Sequence, residues 1–490
     1  MQYFLGVDFG GGASKATLLS ENGRIAATAT VEYPTRHPGA GMAEQNPDDW
    51  YHATCANVRA VLDQAGVSAA SVAALSLDAA THTAVLCDED YRPLRPAIYW
   101  TDTRSAGEAA ELERTMGDRI TTLSYHRVGT IWTLPQLLWV RRHEPEVFAR
   151  TRHILFAKDY VRHRLTGDGV TDHIEAEGSM LYDMERGCFS EELCTVAGLR
   201  ADVLPRLCMP GDIVGGVTPA AAADTGLLAG TPVLCGTTDT AMEVFAAGGI
   251  RAGDMTVKLA TAGRVCVITE KPFPNPHLVC YSHILPGLWY PGTATKAAAS
   301  SYRWFRDTFG GDYRALDAAA AEAGVGAGGL LFHPYLNGEL TPYENPYMTG
   351  SFTFVRSGHG KGHFSRAVLE GVAFSLRDSL GVIEALGMPH RGEAVIIGGG
   401  AASPLWRQIV ADVLHLPLVE QEYSDSSFGS AMLAGVAAGA FSDPADALAR
   451  CAKPRSHTEP NPAAFAAYDE AYARYRAVAE ALLPFAEPNR

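Results

Sequence analysis

The chain contains the same strand, turn and strand pattern twice, once at its beginning and once near its middle. The first copy, YFLGVDFGGGASKATLLS, alternates apolar with small or polar residues before and after three glycines. The second copy, DMTVKLATAGRVCVITE, turns at ATAG. Alternation with a period of two is typical of strands with one buried face. Strands and helices alternate after each copy, which predicts an α/β fold built from two similar domains.

The length of the chain agrees with two domains, because 490 residues exceed what one hydrophobic core usually supports. We place the boundary near Gly248, so that residues 1–247 form the first domain and residues 248–490 the second. Two similar domains predict a cleft between them.

Composition excludes several classes of function. The formal charge of −15 argues against a nucleic-acid partner and against an anionic membrane surface. No apolar run reaches the length of a membrane span and no signal peptide is visible, so we expect a cytoplasmic protein. The nine cysteines form no CxxC pair, and we expect them to be reduced core residues rather than a disulfide framework or a zinc site.

The opening loop combines a carboxylate with glycines and a lysine, namely Asp8, Gly10, Gly11, Gly12 and Lys15. Glycines let backbone N–H groups approach phosphate oxygens closely. A carboxylate beside phosphate would repel it unless a divalent cation such as Mg²⁺ lay between them. The loop therefore suits a metal-bound nucleotide, although a tight turn with a solvated carboxylate explains this stretch equally well. The GxxxxGK[ST] motif of a P-loop is absent.

Two further loops are rich in small residues. Thr261, Ala262 and Gly263 stand at the turn of the second copy, where they are an ordinary turn on their own and a second phosphate clamp if they face the first loop. In VIIGGGAASPLW, a strand ends in glycines before a helix, and Glu420 follows about 20 residues later, as in a dinucleotide-binding unit. Ser403 occupies the third glycine position of that motif, so we favour a platform for adenine instead.

Asp239 follows a strand in CGTTDTAME, at the start of a predicted helix and at the junction of the two domains. An acid at this position is often only a helix cap. It is also suitably placed to act as a general base toward a substrate hydroxyl.

Taken in order along the chain, these segments resemble the FGGY carbohydrate kinases. The similarity covers nearly the whole length and includes GVDFG, THTAVL, AIYWTDTR, KDYVRHRLTG, TTDTA, PYLNGELTP and GGGAASPLWRQIVADVL. The family implies two RNase H-like, actin-like ATPase domains, with ATP and Mg²⁺ between them and a sugar held mainly by the first. Within the family, the chain is most similar to kinases of five-carbon ketoses, which makes D-xylulose the expected substrate.

The resemblance also implies roles for individual residues. Asp239 would be the base and Asp8 a ligand of Mg²⁺. The sugar site would include Thr81, His82, Trp100, Asp102 and Thr240. The ATP site would include Gly10, Gly11, Gly12, Lys15, Thr261, Ala262, Gly263, Gly399, Gly400, Ala401 and Ser403. A homodimer is compatible with the family, and other ketoses, polyols and aldonates remain alternative substrates, as does a catalytically weak relative that binds ATP or sugar.

The chain departs from the family pattern at several of these positions. Gly11 and Gly12 replace the hydroxyl residues of the first loop, and Ala260 replaces a glycine of the second loop. Thr81 replaces a methionine and Thr240 an asparagine. The departures therefore fall on both the nucleotide side and the sugar side of the expected site.

Overall fold

The computed structural model describes residues 1–486, and it confirms an α/β fold with one main sheet in each half of the chain. The strands of the N-terminal half are β1 (Tyr3–Phe9), β2 (Ala13–Ser20), β3 (Ile25–Glu32), β4 (Glu44–Gln45), β5 (Val72–Ala79), β6 (Ala84–Cys87), β7 (Ala97–Ile98), β8 (His153–Phe156), β9 (Val170–Asp172), β10 (Tyr182–Asp183), β11 (Cys188–Phe189), β12 (Arg206–Cys208), β13 (Ile213–Gly216), β14 (Pro232–Leu234) and β15 (Thr237–Thr238). Its helices are α1 (Pro47–Ala65), α2 (Ala106–Ser124), α3 (Thr133–His143), α4 (Pro145–Arg150), α5 (Ala157–Thr166), α6 (His173–Gly178), α7 (Glu191–Ala197), α8 (Pro219–Thr225) and α9 (Asp239–Ala246).

The C-terminal half repeats the plan with fewer strands. Its strands are β16 (Met255–Leu259), β17 (Gly263–Val267), β18 (Leu331–His333), β19 (Ser351–Thr353), β20 (Ala394–Ile397), β21 (Leu418–Gln421) and β22 (Pro454–Thr458). Its helices are α10 (Ala299–Phe309), α11 (Tyr313–Ala323), α12 (Lys361–Ala385), α13 (Pro404–Leu414), α14 (Ser426–Ala437), α15 (Pro444–Cys451) and α16 (Pro462–Leu482).

The two main sheets share a topology. The first has the order β13-β14-β5-β1-β2-β3, and β15 also pairs with β5. The second has the order β17-β16-β20-β21-β22. In each sheet, an antiparallel hairpin (β1–β2 or β16–β17) lies beside a strand parallel to its first member (β5 or β20). The repeated sequence pattern therefore forms the same unit twice, as predicted.

Local signals place α1 as the sequence predicts. The Asn46 side chain accepts a hydrogen bond from the Asp48 N–H at 3.4 Å, Pro47 opens the helix, and Gly66 ends it with a φ of 62°. Trp50 and Val58 of this helix are buried against the first sheet. Capping residues and an apolar face together determine this helix.

Helix α14 comes from the C-terminal half but packs on the sheet of the N-terminal half. A Cβ atom at Gly6 of β1 would lie 1.9 Å from the Ser427 carbonyl oxygen, so only glycine allows this approach. A Cβ atom at Gly429 would lie 2.4 Å from the carbonyl oxygen of Met242 in α9. The boundary at residues 247 and 248 remains a prediction, and α14 and α9 together join the two halves at the base of the cleft.

One expectation about cysteine is wrong. Cys208 and Cys235 are paired as a disulfide, because the fold brings the end of β12 next to the residue after β14. The other seven cysteines are free, and six of these are buried. No helix within the described part of the chain is long and apolar enough to cross a bilayer.

Candidate active site

The opening loop lies between β1 and β2, and two of its carbonyl groups accept hydrogen bonds from side chains. The Tyr33 hydroxyl donates to the Gly10 carbonyl at 2.6 Å, and Gln45 Nε2 donates to the Gly11 carbonyl at 3.0 Å. The N–H groups of Gly11 and Gly12 donate no hydrogen bond within residues 1–486. Both glycines are exposed, so their N–H groups are available to an anion.

Asp8 is next to a second carboxylate that sequence reasoning missed. Asp8 pairs in register with Asp78 of the parallel strand β5, and Asp78 is buried. Burial raises the pKa of Asp8 to about 7, and the negative charge of Asp239 adds to this effect. Asp78 Oδ2 accepts a hydrogen bond from the Ser430 hydroxyl of α14 at 2.6 Å. An acid within the apolar run VAALSLDAA was the only sequence signal for Asp78.

These carboxylates fit a divalent cation that arrives with a nucleotide. Burial, and after it the negative charge of neighbouring carboxylates, raises the pKa of both Asp8 and Asp78, and a bound cation would oppose both effects. No three His, Cys, Asp or Glu side chains converge as a preformed metal cage among residues 1–486. Mg²⁺ usually takes one or two protein carboxylates together with substrate phosphates and water.

Asp239 begins α9, directly after β15, and Thr238 caps the helix by accepting from the Ala241 N–H at 3.3 Å. Asp239 is therefore not the capping residue. Its Oδ1 accepts from the Thr240 N–H at 2.6 Å and from the Thr240 hydroxyl at 3.2 Å. Thr240 thus orients the carboxylate of Asp239.

The pKa of Asp239 is tuned by an ion pair. Burial and the negative charge of Glu243 raise this pKa to about 6, while Lys258 opposes the rise. Glu243 lies one turn further along α9, and its carboxylate pairs with the Lys258 ammonium of β16. Asp239 is then largely ionised at neutral pH and close to the range in which it could exchange a proton.

The second loop, Thr261 to Gly263, has the same construction as the first. The Ala298 and Ala299 N–H groups donate to the carbonyls of Thr261 and Ala260 at 3.0 and 2.7 Å, and α10 starts there. The Ser300 hydroxyl also donates to the Thr261 carbonyl at 2.7 Å. The Thr261 and Ala262 N–H groups have no acceptor in the part of the chain that the structure describes. Both loops therefore expose backbone donors.

Lys15 lies opposite Asp8 in the first hairpin, but its ammonium is engaged. It forms an ion pair with Asp425 at 3.0 Å, and Asp425 caps α14. Each side chain is about one third exposed, at 35% and 33%. Lys15 therefore joins the first hairpin to the helix that connects the two halves.

The glycine-rich end of β20 approaches the second loop closely. A Cβ atom at Gly398 would lie 2.8 Å from the Leu259 carbonyl, whereas Gly399 is exposed with nothing within 4 Å. Gly400 and Ala401 are buried beside it. The Ser403 hydroxyl caps α13 and donates to Asp317 at 2.6 Å. Of these residues, Gly399 presents open space for an adenosine.

The dinucleotide alternative does not fit the structure. Glu420, its expected ribose ligand, forms ion pairs with Arg407 at 3.2 Å and with Arg455 at 3.6 Å. It also accepts from the Ser456 hydroxyl at 2.9 Å. A carboxylate with these partners holds the sheet edge together and is not free to bind a ribose.

His82 stands at a strained position in the sugar region. Its φ is 57°, its N–H donates to Glu175 Oε1 at 2.6 Å, and its carbonyl accepts from the Thr133 hydroxyl at 2.8 Å. Burial lowers the pKa of His82 to about 3, so the ring is neutral. The ring lies 4.8 Å from that of Trp132, which sequence reasoning missed. The side chains of Thr81 and His82 both lie next to Gly178 of α6.

Trp100 and Asp102, two other expected sugar contacts, differ in their accessibility to a ligand. Trp100 is 37% exposed after β7 and is accessible to a ligand. Asp102 is buried, and its carboxylate forms an ion pair with Arg104 at 2.8 Å and accepts from the Ala43 N–H at 2.6 Å. Asp102 therefore orders the loop that carries Trp100 rather than presenting free oxygens.

Comparison with known protein families shows which family the chain belongs to. A family model described as the FGGY family of carbohydrate kinases, N-terminal domain, matches residues 3–246, and its C-terminal counterpart matches residues 255–438. The chain belongs to the FGGY family of carbohydrate kinases. The resemblance seen in the sequence and the two-domain fold expected from it are both confirmed.

Individual relatives match this FGGY kinase over almost its full length. It is 34% identical to the xylulose kinase of Bacillus subtilis over 92% of this chain and 91% of that protein. It is also 34% identical to the xylulose kinase of Escherichia coli over 98% of this chain and 99% of that protein. The crystal structure of xylulose kinase from Rhodospirillum rubrum matches with a TM-score of 0.90 at 29% identity, covering 99% of this chain and 100% of that chain.

Proposed function

We propose that this FGGY kinase transfers the γ-phosphoryl group of ATP to the terminal hydroxyl of D-xylulose, forming D-xylulose 5-phosphate and ADP. The observation that carries the proposal is the place of Asp239, at the start of a helix that reaches the base of the cleft and close to Asp8. The names of the full-length relatives support a ketopentose as the substrate.

The two loops are the proposed phosphate sites. In each loop, carbonyl groups accept hydrogen bonds from neighbouring residues and two N–H groups, those of Gly11 and Gly12 or of Thr261 and Ala262, have no acceptor within residues 1–486, which suits the oxygens of a polyphosphate. The N–H groups of Gly10 and Gly263 donate to Ala13 and Thr295 and are not available to a ligand. Gly399 offers room for the adenosine, with Gly400 and Ala401 beneath it. Asp8 would hold Mg²⁺ bound to the nucleotide, and the cation neutralises charge on the transferring group.

Asp239 is the proposed base. As the substrate oxygen bonds to the γ-phosphorus, the bond from that phosphorus to the bridging oxygen of ADP breaks, and the hydroxyl proton passes to the Asp239 carboxylate. In a loose transition state the nucleophile bonds late, so a weak base is sufficient. Thr240 holds the carboxylate in place through its N–H and hydroxyl groups.

On the sugar side, His82, Thr81 and Trp100 are the proposed contacts, with Trp132 beside them. Asp102 is proposed to act through the loop it orders, because Arg104 and Ala43 occupy its oxygens. Closure of the cleft would exclude water, which could otherwise accept the phosphoryl group.

The test is magnesium-dependent ADP release measured over a panel of ketoses, polyols and aldonates. D-Xylulose should give the highest kcat/KM, well above the rate without sugar. Activity confined to gluconate or glycerol would refute the substrate, and sugar-independent release alone would favour a catalytically weak relative.

A further inference from the structure

Arg264 is a half-buried arginine, and part of its guanidinium has no hydrogen-bond partner within residues 1–486. Arg264 lies on β17 directly opposite Lys258 on β16, so the two side chains share one face of the second sheet. Lys258 pairs with Glu243 of α9, the helix that begins with Asp239. The shared face is therefore the one that looks onto the proposed base.

Aromatic side chains connect Arg264 to the sugar region. The Arg264 guanidinium carbon lies 5.5 Å from the centre of the Tyr290 ring, and Tyr290 stacks on Tyr281 at 5.6 Å. Tyr281 lies 4.9 Å from His126, and His126 stacks on Trp132 at 4.4 Å.

Trp132 in turn lies 4.8 Å from His82. We call these residues the aromatic wall: His82, Trp132, His126, Tyr281 and Tyr290. The wall runs without interruption from the proposed sugar contact to Arg264.

The guanidinium is only partly compensated. Its Nε and Nη2 atoms are buried and have no hydrogen-bond partner within residues 1–486. A buried charged donor without an acceptor is costly, and the ring of Tyr290 offsets only part of that cost. The N–H groups on Nε and Nη2 therefore need hydrogen-bond acceptors, and we infer that ligand oxygens supply them.

The substrate proposed above necessarily supplies such an acceptor. A 2-ketopentose closes into a furanose ring through its C5 oxygen, the same oxygen that phosphorylation at C5 requires. The reacting form must therefore be the open chain, which carries a free carbonyl at C2. A carbonyl oxygen with two lone pairs can accept a hydrogen bond from a guanidinium.

We propose that Arg264 is a specificity-determining residue that binds the C2 carbonyl oxygen of an open-chain ketopentose. This inference rests on the proposed function and deepens it. Arg264 selects the reactive open form and discriminates against polyols, which have a hydroxyl where the ketose has a carbonyl. The aromatic wall carries the remaining apolar surface of the sugar.

The experiment compares D-xylulose with D-arabinitol, one of its two reduction products at C2, by ADP release in the wild type and in Arg264→Met. The wild type should prefer D-xylulose in kcat/KM. In Arg264→Met, kcat/KM for D-xylulose should fall roughly 10- to 100-fold, mostly through KM, as expected for loss of a hydrogen bond to a charged group. The value for D-arabinitol should change by less than about threefold, so the preference collapses. Arg264→Lys, which keeps the charge but not the fork, should be intermediate.

Arg377→Met is the matched control. Arg377 also lies over a tyrosine ring, 4.4 Å from Tyr472, and has a buried, unpartnered Nη1, but it lies on α12 and pairs with Asp469. This variant should keep the wild-type preference.

An unchanged preference in Arg264→Met would overturn the inference while the proposed function stands. If that variant does not fold, calorimetric titration of the wild type decides instead, and equal affinity for D-xylulose and D-arabinitol would overturn the inference. Absence of turnover with every ketopentose would refute both the inference and the proposed function.

Discussion

The two hairpins that face the cleft have the same backbone arrangement but different charged residues: an acid and a cation face each other in the first, and two cations in the second. Asp8 is the second-to-last residue of β1, and Lys258 is the second-to-last residue of β16. Their partners across each hairpin are Lys15 and Arg264. The first hairpin therefore presents a carboxylate backed by Asp78, whereas the second presents two cations.

The difference shows how one unit of structure serves two chemical tasks. A carboxylate beside phosphate-binding N–H groups suits a metal ion. A cation near Asp239 keeps that carboxylate ionised, and a second cation can bind substrate oxygens. Asp239 lies where both influences meet, because Asp8 and Lys258 each interact with it.

We expect the largest loss of activity from a substitution of Asp239. Asp239→Asn keeps the size of the side chain but cannot take the proton, so kcat should fall by roughly 10² to 10⁴. Sugar binding measured by calorimetry should survive within about tenfold. A near wild-type kcat with the best sugar would mean that the base lies elsewhere in the cleft.

Removing the negative charge of Asp8 tests whether this carboxylate binds the metal ion. Asp8→Asn should lower kcat by about 10²-fold and shift the magnesium concentration needed for half-maximal rate upward. The same change relieves the crowding of carboxylates, so the melting temperature should stay equal or rise at pH 8. The sign follows from the raised pKa of Asp8: as the pH rises from its ordinary pKa of 3.8 to about 7, the folded state holds the proton longer than the unfolded chain, so stability falls, and the full penalty is present at pH 8. A magnesium dependence identical to that of the wild type would make the loop a simple turn.

Replacing one or the other member of the Glu243–Lys258 ion pair should shift the acidic limb of the pH–rate profile, in opposite directions for the two variants. Glu243→Gln removes a negative neighbour of Asp239, lowers its pKa from about 6, and should shift the limb of kcat/KM to lower pH. Lys258→Met removes the positive neighbour and should shift the limb to higher pH. Each shift should be about one pH unit. Shifts of the same sign in both variants would contradict the assignment of this limb to Asp239.

The smallest effect concerns the hydroxyl groups that the first loop lacks. A Cβ atom at Gly12 would have nothing within 4 Å, whereas one at Gly11 would lie 3.0 Å from the Tyr99 hydroxyl. Gly12→Ser should leave the KM for ATP unchanged or lower it by up to about fivefold. Gly11→Ser should raise that KM, because the buried Tyr99 would have to move. Equal effects of the two variants would show that Tyr99 does not limit the loop.

The sequence singled out Asp8 and Asp239 as candidates because each stands at the end of a strand beside small residues, and their roles stay predictions. Sequence reasoning missed Asp78 and Glu243, and it did not assign a role to Arg264. The hairpin pattern places Lys258 and Arg264 on one face of the two paired strands β16 and β17 but does not reveal which helix covers that face. For Ser403 and Asp102, the sequence indicated ligand contacts, whereas the structure shows their polar atoms engaged within the protein.

The sequence by itself determined the repeated hairpins, the caps of α1 and the order of strands and helices, because these depend on residues close together in the chain. Only the tertiary structure decided that α14 crosses to the first sheet at Gly6 and that Ser430 reaches Asp78, 352 positions earlier in the chain. The tertiary structure likewise decides the pKa of Asp239. This pKa results from burial and from charges on two different elements, and desolvation exists only once those elements have packed together.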